Sequence, residues 1–284
     1  MGNIRLFASS LFALTTLVAC GDDGGTPMIV DSGIVDAPPV DNAPPIDQPP
    51  PITYDFSCYQ NAAPTTIATT VTVSGTAQEV SLATQSLGPA AGVTVRACKG
   101  DCTGADDLGA APVTTANGNF TTPTVATNGA AIDAYGKATK NGSWTTYIYP
   151  HAPLTDNLSG APVLLLTQTL INFLPQLTGG EGQMAGNGIV GVAATDCATP
   201  PVGVTGATVT VMSGSAAVGD DPYDVGALLG EAAAGVYLFT NVPPGTVSVT
   251  ATYVQNGTTY TFLVNDAVGV FADSLTEAQI RPGY

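Results

Sequence analysis

Short stretches of alternating apolar and polar residues make up most of the chain after residue 53. Such alternation is typical of half-buried β-strands, because successive side chains point to opposite faces of a sheet. The stretches follow one another at spacings of about ten residues, with turn residues such as Asn-Gly between them. The pattern predicts an all-β fold of two tandem Ig-like β-sandwiches. The clearest stretches are 69–74, 91–97, 132–140, 144–149 and 247–253.

One stretch has a helical rather than an alternating period. It begins after Thr167, whose hydroxyl can cap the first turn of a helix. Pro175 lies within it. We predict a short helical connector over residues 154–187 whose apolar face packs on one or both sandwiches. The apolar face consists of Leu170, Phe173, Leu174 and Leu177.

The start of the chain has the pattern of an export signal. Its apolar run, residues 6–18, is too short to span a bilayer, and Ala19 and Cys20 follow it directly. This start resembles the lipobox of bacterial lipoproteins. The resemblance implies that residues 1–19 are removed and that Cys20 is lipidated, although an ordinary secretory signal with a coincidental cysteine is an alternative. Because Gly21 rather than aspartate follows, we expect a lipid-anchored outer-membrane protein that faces the periplasm or the cell exterior.

Residues 20–52 interleave aspartates with proline pairs. Proline favours extended polyproline II structure, and like charges extend the chain further. We predict a disordered stalk that lifts the folded part off the membrane. A proline-rich ligand for a partner protein is the alternative.

The two predicted sandwiches, residues 53–153 and 188–284, share an internal repeat. The motif G-A-x-V-x-V at residues 206–211 has a counterpart at residues 90–96. In the second half, G-x-Y-x-F and then N-V-P-P-G-x-V-x-V follow it, and the first half lacks the P-P-G turn. These motifs resemble the carboxypeptidase regulatory-like domain, a transthyretin-related β-sandwich. The resemblance implies a non-catalytic accessory module that assists a peptidase, binds carbohydrate or acts as a spacer.

Four cysteines remain after Cys20 in a chain predicted to be exported, where disulfides persist. Gly100 permits a tight turn between Cys98 and Cys102, so these two can pair, which leaves Cys58 to pair with Cys197. A C-x-x-x-C metal pair is the alternative, but the sequence offers no second close pair and only one histidine.

The net charge of −16 excludes nucleic acid as a partner. It also leaves the lipid as the only membrane attachment, because the chain is repelled by anionic headgroups. A polar uncharged or cationic partner is favoured, such as a glycan or another envelope protein.

Candidate catalytic chemistry is sparse. The single histidine, His151, has no neighbouring nucleophile or aspartate to form a triad. Asp220, Asp221 and Asp224 share a Gly-rich loop and offer either a weak Ca²⁺ site or carboxylates for an envelope hydrolase. We predict no cofactor and no enzymatic activity.

Aromatic residues at 144–149 are the remaining candidates for a ligand site. Tyr147 and Tyr149 share one face of the predicted strand, and Trp144 lies on the other. One face is core and the other is exposed, and residues with a polar handle on an exposed strand suit ligand binding. The sequence therefore predicts a lipid-anchored, non-enzymatic module for glycan or protein binding or for spacing, with a hydrolase as the alternative.

Overall fold

The computed structural model describes residues 52–81, 84, 86–112, 114–178, 182–263 and 265–283. The predicted signal peptide, Cys20 and all of the predicted stalk except residue 52 lie outside the described residues. None of the helices in the described ranges is long and apolar enough to cross a membrane.

Short β-strands dominate the described residues. The strands are β1 (Thr70–Val71), β2 (Val73–Ser81), β3 (Ser86–Pro89), β4 (Thr94–Cys98), β5 (Asp107–Ala110), β6 (Asn119–Thr121), β7 (Val125–Ala126), β8 (Tyr135–Thr139), β9 (Thr145–Tyr149), β10 (Leu158–Leu165), β11 (Gly188–Ala194), β12 (Thr208–Ser213), β13 (Ala216–Ala217), β14 (Tyr223–Asp224), β15 (Val236–Val242), β16 (Gly245–Gln255), β17 (Thr258–Thr261), β18 (Asn265–Val270) and β19 (Ser274–Ile280). The helices are α1 (Gln168–Thr178), α2 (Gly226–Leu229) and two 3-10 turns at Gly104–Asp106 and Gly230–Ala233.

One eight-stranded sheet runs through both halves of the chain, in the order β14-β15-β11-β19-β9-β8-β4-β5. The halves meet at β9 and β19, which pair in parallel with Thr145 opposite Ser274 and Tyr149 opposite Ala278. The other first-half strands of this sheet, β8, β4 and β5, continue from β9 through antiparallel pairs. The two sandwiches therefore share a common sheet.

The first hydrophobic core lies between the β4-β8-β9 part of this sheet and a smaller sheet of β10, β2, β3 and β6. Phe120 and Ile148 are its largest aromatic and β-branched members. Alternation places Thr146 and Ile148 of β9 on this side, which is why both are buried. Other members are Val93, Val95, Val163 and Leu165.

The second core lies on the opposite face, between β11, β15 and β19 and a sheet of β13, β12, β16, β17 and β18. Along β11, Val190 points into this core whereas its neighbour Ile189 points the other way, towards α1. Both faces of the shared sheet are thus covered at β11. Members of the second core include Val192, Phe239, Val249, Phe262, Val268 and Ile280.

Helix α1 covers the other face of the second half. Leu170, Ile171 and Leu174 pack against Ile189 and Leu275 beneath them. The N–H of Leu170 donates to the hydroxyl of Thr167 at 3.2 Å, which satisfies a free donor of the first turn. The predicted all-β fold, with sandwiches joined by a short helix, is confirmed.

The start of the described chain, around residues 54–58, packs with the second half. Tyr54 and Phe56 are buried in the second core, and Phe56 stacks on Tyr260 with ring centroids 4.1 Å apart. The Tyr54 hydroxyl is 2.8 Å from that of Thr205. The boundaries 53–153, 154–187 and 188–284 stay predictions, but these aromatic contacts tie the beginning of the first range to the last.

Both predicted disulfides are present. Cys58 and Cys197 are bonded with Cα atoms 5.6 Å apart and a separation of 139 positions in sequence. Cys98 and Cys102 are bonded with Cα atoms 4.8 Å apart. Because the sulfurs of Cys98 and Cys102 are joined to each other, they do not form the alternative metal pair.

Candidate ligand-binding site

Strand β9 presents its predicted candidates to two different environments. Tyr147 and Tyr149 lie on the face opposite the first core, and both are half-buried. Trp144, just before the strand, lies on the side of helix α1 and is also half-buried. The structure therefore brings the two tyrosines together and separates them from the tryptophan, and neither set is wholly core.

Two further rings join the tyrosines in what we call the tyrosine step, formed by Tyr135, Tyr147, Tyr149 and Phe271. Tyr135 stacks on Tyr149 with centroids 5.3 Å apart, and Tyr147 stacks on Phe271 with centroids 4.0 Å apart. Tyr135 and Tyr147 are 6.1 Å apart and tilted. Phe271 is 39% exposed, so its ring is the most open part of the step.

The step exists because the sheet over the second core stops short of the first half. Its strand β18 ends at Val270, and Phe271 follows at the edge above β9. A Cβ at Gly269 would lie 2.7 Å from the phenol oxygen of Tyr149, so a glycine is needed for this close approach. The uncovered face of β8 and β9 thus meets a wall made by the second sandwich.

Burial raises the pKa of all three tyrosines in the step, and that of Tyr149 to about 12. The phenols therefore stay protonated at neutral pH and can donate hydrogen bonds. The Tyr135 hydroxyl donates to the Gly100 carbonyl at 3.2 Å, in the loop closed by Cys98 and Cys102. That disulfide therefore holds the loop beside the step.

Lys137 brings a positive charge to the step. Its ammonium nitrogen is 5.7 Å from the centroid of the Tyr147 ring, within cation–π distance. The salt bridges of the described residues are Arg96–Asp107, Lys99–Asp106 and Lys140–Glu79. Lys137 belongs to none of them, so its charge remains available to a ligand.

The acidic loop does not gather its three carboxylates. Asp220 accepts hydrogen bonds from the Thr240 hydroxyl at 2.6 Å and the Asn241 amide at 2.7 Å. Asp224 accepts from the Gly226 N–H at 2.9 Å. Across the described ranges, no group of three acidic, cysteine or histidine side chains is placed to hold a metal ion, including Asp221 with these two.

His151, the single histidine, lies at the end of β9. Burial, and then the positive charge of Arg281, lowers its pKa to about 4. The imidazole is therefore neutral at physiological pH.

A carboxyl group lies inside the molecule on the other side of the shared sheet. Glu277 of β19 is in register with Ile148 of β9, and its Oε1 accepts the N–H of Leu164 at 2.7 Å. Burial raises its pKa to about 8, although part of the side chain keeps accessible surface. The carboxyl is therefore largely protonated at neutral pH.

Three residues of the site were not predicted from the sequence: Tyr135, Lys137 and Phe271. A signal existed for the first two, since the Asn141–Gly142 turn joins β8 to β9 and sets Lys137 opposite Tyr147. No local pattern predicts Phe271, because it reaches β9 only through the pairing of distant strands.

No protein-family model matches the chain, and a comparison with curated proteins finds no similar sequence. Similar solved structures include a minor pilin of the Gram-positive pathogen Streptococcus agalactiae, 10% identical over 75% of this chain and 95% of the pilin, with a TM-score of 0.26. A streptococcal ancillary pilin is 12% identical over 75% of this chain and 62% of that chain, with a TM-score of 0.22. At these values the pilins say nothing about the ligand or activity of this chain.

Proposed function

We propose that the protein is a non-enzymatic binding module of the bacterial cell envelope and that its tyrosine step binds glycan. The observation that supports this proposal is the partly exposed aromatic cluster of the tyrosine step. The partly exposed rings offer apolar surface to the C–H groups of a sugar, and the phenols offer hydrogen bonds to its hydroxyls.

The rigidity of the step supports this function. Its tyrosines stand on β8 and β9 near the centre of the eight-stranded sheet, and the disulfide Cys98–Cys102 holds the adjacent loop. A site that is already ordered loses less conformational entropy when a ligand binds.

Lys137 adds a hydrogen-bond donor at one end of the step. Its ammonium group can bond to sugar hydroxyls or pair with an acidic substituent of the glycan. The rest of the protein is strongly acidic, so an unpaired lysine beside aromatic rings localises the contact for such a group.

We further propose that Cys20 carries lipid at the outer membrane and that the Pro/Asp stalk presents the step away from it. The resemblance of residues 188–284 to carboxypeptidase regulatory-like domains supports an accessory role. The hydrolase alternative loses support because Asp220 hydrogen-bonds to Thr240 and Asn241 of β15, and Asp224 to the nearby Gly226 N–H.

A glycan array tests the proposal with the mature protein and two variants, Tyr147→Ala and Phe271→Ala. We expect wild-type protein to bind a defined set of glycans, and each variant to lose about tenfold in affinity, equivalent to 1.4 kcal/mol. Tyr223→Ala is the matched control, because Tyr223 is also half-buried but lies on β14, outside the step.

Equal binding by wild type and both step variants would show that the step is not the site. An absence of binding to any glycan would favour a spacer. Turnover of a polysaccharide or peptide that disappears in Asp220→Asn would favour the hydrolase over the binding module.

A further inference from the structure

A second concave surface lies on the opposite side of the shared sheet, between helix α1 and the loop 182–187. We call it the tryptophan cleft, and its volume is about 610 Å³, within the range of small-molecule sites. It is lined mainly by Trp144, Gln168, Asn172, Gln183, Met184 and Asp273. We propose that the tryptophan cleft is a separate binding site for an uncharged saccharide.

The shared sheet explains why two opposing walls meet there. Trp144 and Asp273 directly precede Thr145 and Ser274, which are paired residues of the parallel strands β9 and β19. Because parallel strands run in the same direction, both begin at the same end of the sheet. Trp144 and Asp273 therefore reach the same cleft although they are far apart in sequence.

Hydrogen bonds along helix α1 orient the indole. The Trp144 Nε1 donates to Gln168 Oε1 at 3.0 Å, and the Gln168 Nε2 donates to Asn172 Oδ1 at 2.9 Å. Gln168 and Asn172 are four residues apart and therefore share one helical face. The edge of the indole is fixed, and the exposed Asn172 amide retains donors directed to solvent or ligand.

The facing wall is also held in place. Gln183 donates to the Asn187 carbonyl at 3.2 Å and accepts the N–H of Asn241 at 3.1 Å. The Met184 N–H donates to the Asn241 side chain at 2.6 Å, and the Gly186 N–H donates to Asp273 at 3.0 Å. These bonds fix the loop backbone while leaving the Met184 side chain 57% exposed across from the helix.

The chemistry of the lining selects the ligand class. Trp144 and Met184 supply apolar surface, the amides supply both donors and acceptors, and Asp273 supplies an acceptor. No lysine or arginine belongs to the described residues that line the cleft, so an anionic group would meet Asp273 without a compensating charge. A neutral sugar ring matches both the apolar surface and the mixed hydrogen-bonding groups.

This inference shares only its ligand class with the proposed function, since the cleft and the tyrosine step use different residues on opposite faces. Fluorescence separates them, because Trp144 is the only tryptophan of the chain. Titration of the mature protein with neutral gluco-, manno- and N-acetylglucosamine oligosaccharides should shift or quench its emission saturably for at least one of them. Tyr147→Ala should leave that titration unchanged.

Asn172→Ala and Met184→Ala should each weaken the titration about tenfold. Gln176→Ala is the matched control, because Gln176 is an exposed amide on the same helix but does not line the cleft. Alanine favours a helix, so neither α1 substitution should impair folding.

Three results would overturn the inference. They are unchanged emission with every neutral oligosaccharide at millimolar concentration, a response that persists in Asn172→Ala and Met184→Ala, and a response to uronate oligomers or peptides alone. The glycan-array result for Tyr147→Ala, whether binding is lost or kept, concerns the tyrosine step and not the tryptophan cleft.

Discussion

The interior carboxyl of Glu277 makes the stability of the fold depend on pH in a direction that can be worked out. The folded protein raises its pKa from the usual 4.5 to about 8. The unfolded chain therefore releases this proton near pH 4.5, whereas the folded chain retains it until about pH 8. The contribution of Glu277 to stability is complete below pH 4.5 and is lost as the pH rises through 8.

His151 acts in the opposite direction, because its folded pKa is lowered from 6.5 to about 4. Its contribution is complete above pH 6.5 and is lost as the pH falls through 4. The two effects oppose each other between pH 4.5 and 6.5, so the window from pH 6.5 to 8 isolates Glu277. At 1.36 kcal/mol per pH unit, the free energy of unfolding of the wild-type protein should fall by up to about 2 kcal/mol between pH 6.5 and 8. The loss is smaller to the extent that solvent reaches the carboxyl.

Glu277→Gln keeps an oxygen for the Leu164 N–H and removes the titration. We expect the free energy of unfolding of this variant to change little between pH 6.5 and 8. At pH 8 the variant should be more stable than wild type. Urea unfolding under oxidising conditions at several pH values gives the free energies. Glu231→Gln, at an exposed position, is the control and should retain the wild-type slope. Parallel losses of stability in Glu277→Gln and wild type over this window would show that Glu277 does not cause the pH dependence.

The remaining predictions concern the cysteines. Replacing Cys58 and Cys197 by serine should lower the free energy of unfolding by about 5 kcal/mol and the Cys98/Cys102 double replacement by about 2 kcal/mol, because the chain-entropy cost grows with loop length. Equal losses in urea unfolding would contradict this account. Metabolic labelling with a palmitate analogue should label the wild-type protein, and a Cys20→Ala variant that still labels and stays with the membrane fraction would exclude lipidation at that residue.

The strands were predictable from the sequence where one face is core and the other polar. Thr146 and Ile148 alternate with Tyr147 and Tyr149, and β9 forms as the alternation indicates. Thr167 likewise marks the start of α1. The cysteine pairs followed from count and spacing, because few arrangements of four cysteines exist.

The join between the halves was not predictable. Local periodicity gives a strand its two faces but not its neighbour, and β9 pairs with β19 across more than a hundred residues of sequence. The tryptophan cleft, the place of Phe271 in the step and the interior position of Glu277 all depend on that pairing. A glutamate in an alternating strand would otherwise be assigned to solvent, which is why Glu277 was missed.

The disulfide between Cys58 and Cys197 also decides how the protein responds to mechanical tension. A pull along the chain between its two ends passes through the sulfur–sulfur bond, so the residues between the two cysteines are shielded from extension. The cysteines' separation of 139 positions would otherwise release roughly 460–500 Å of contour length when the loop is unravelled. Strand β9, its tyrosines and helix α1 lie within this shielded loop, whereas Phe271 of the step and Asp273 of the cleft lie outside it and would move with the stretched C-terminal segment.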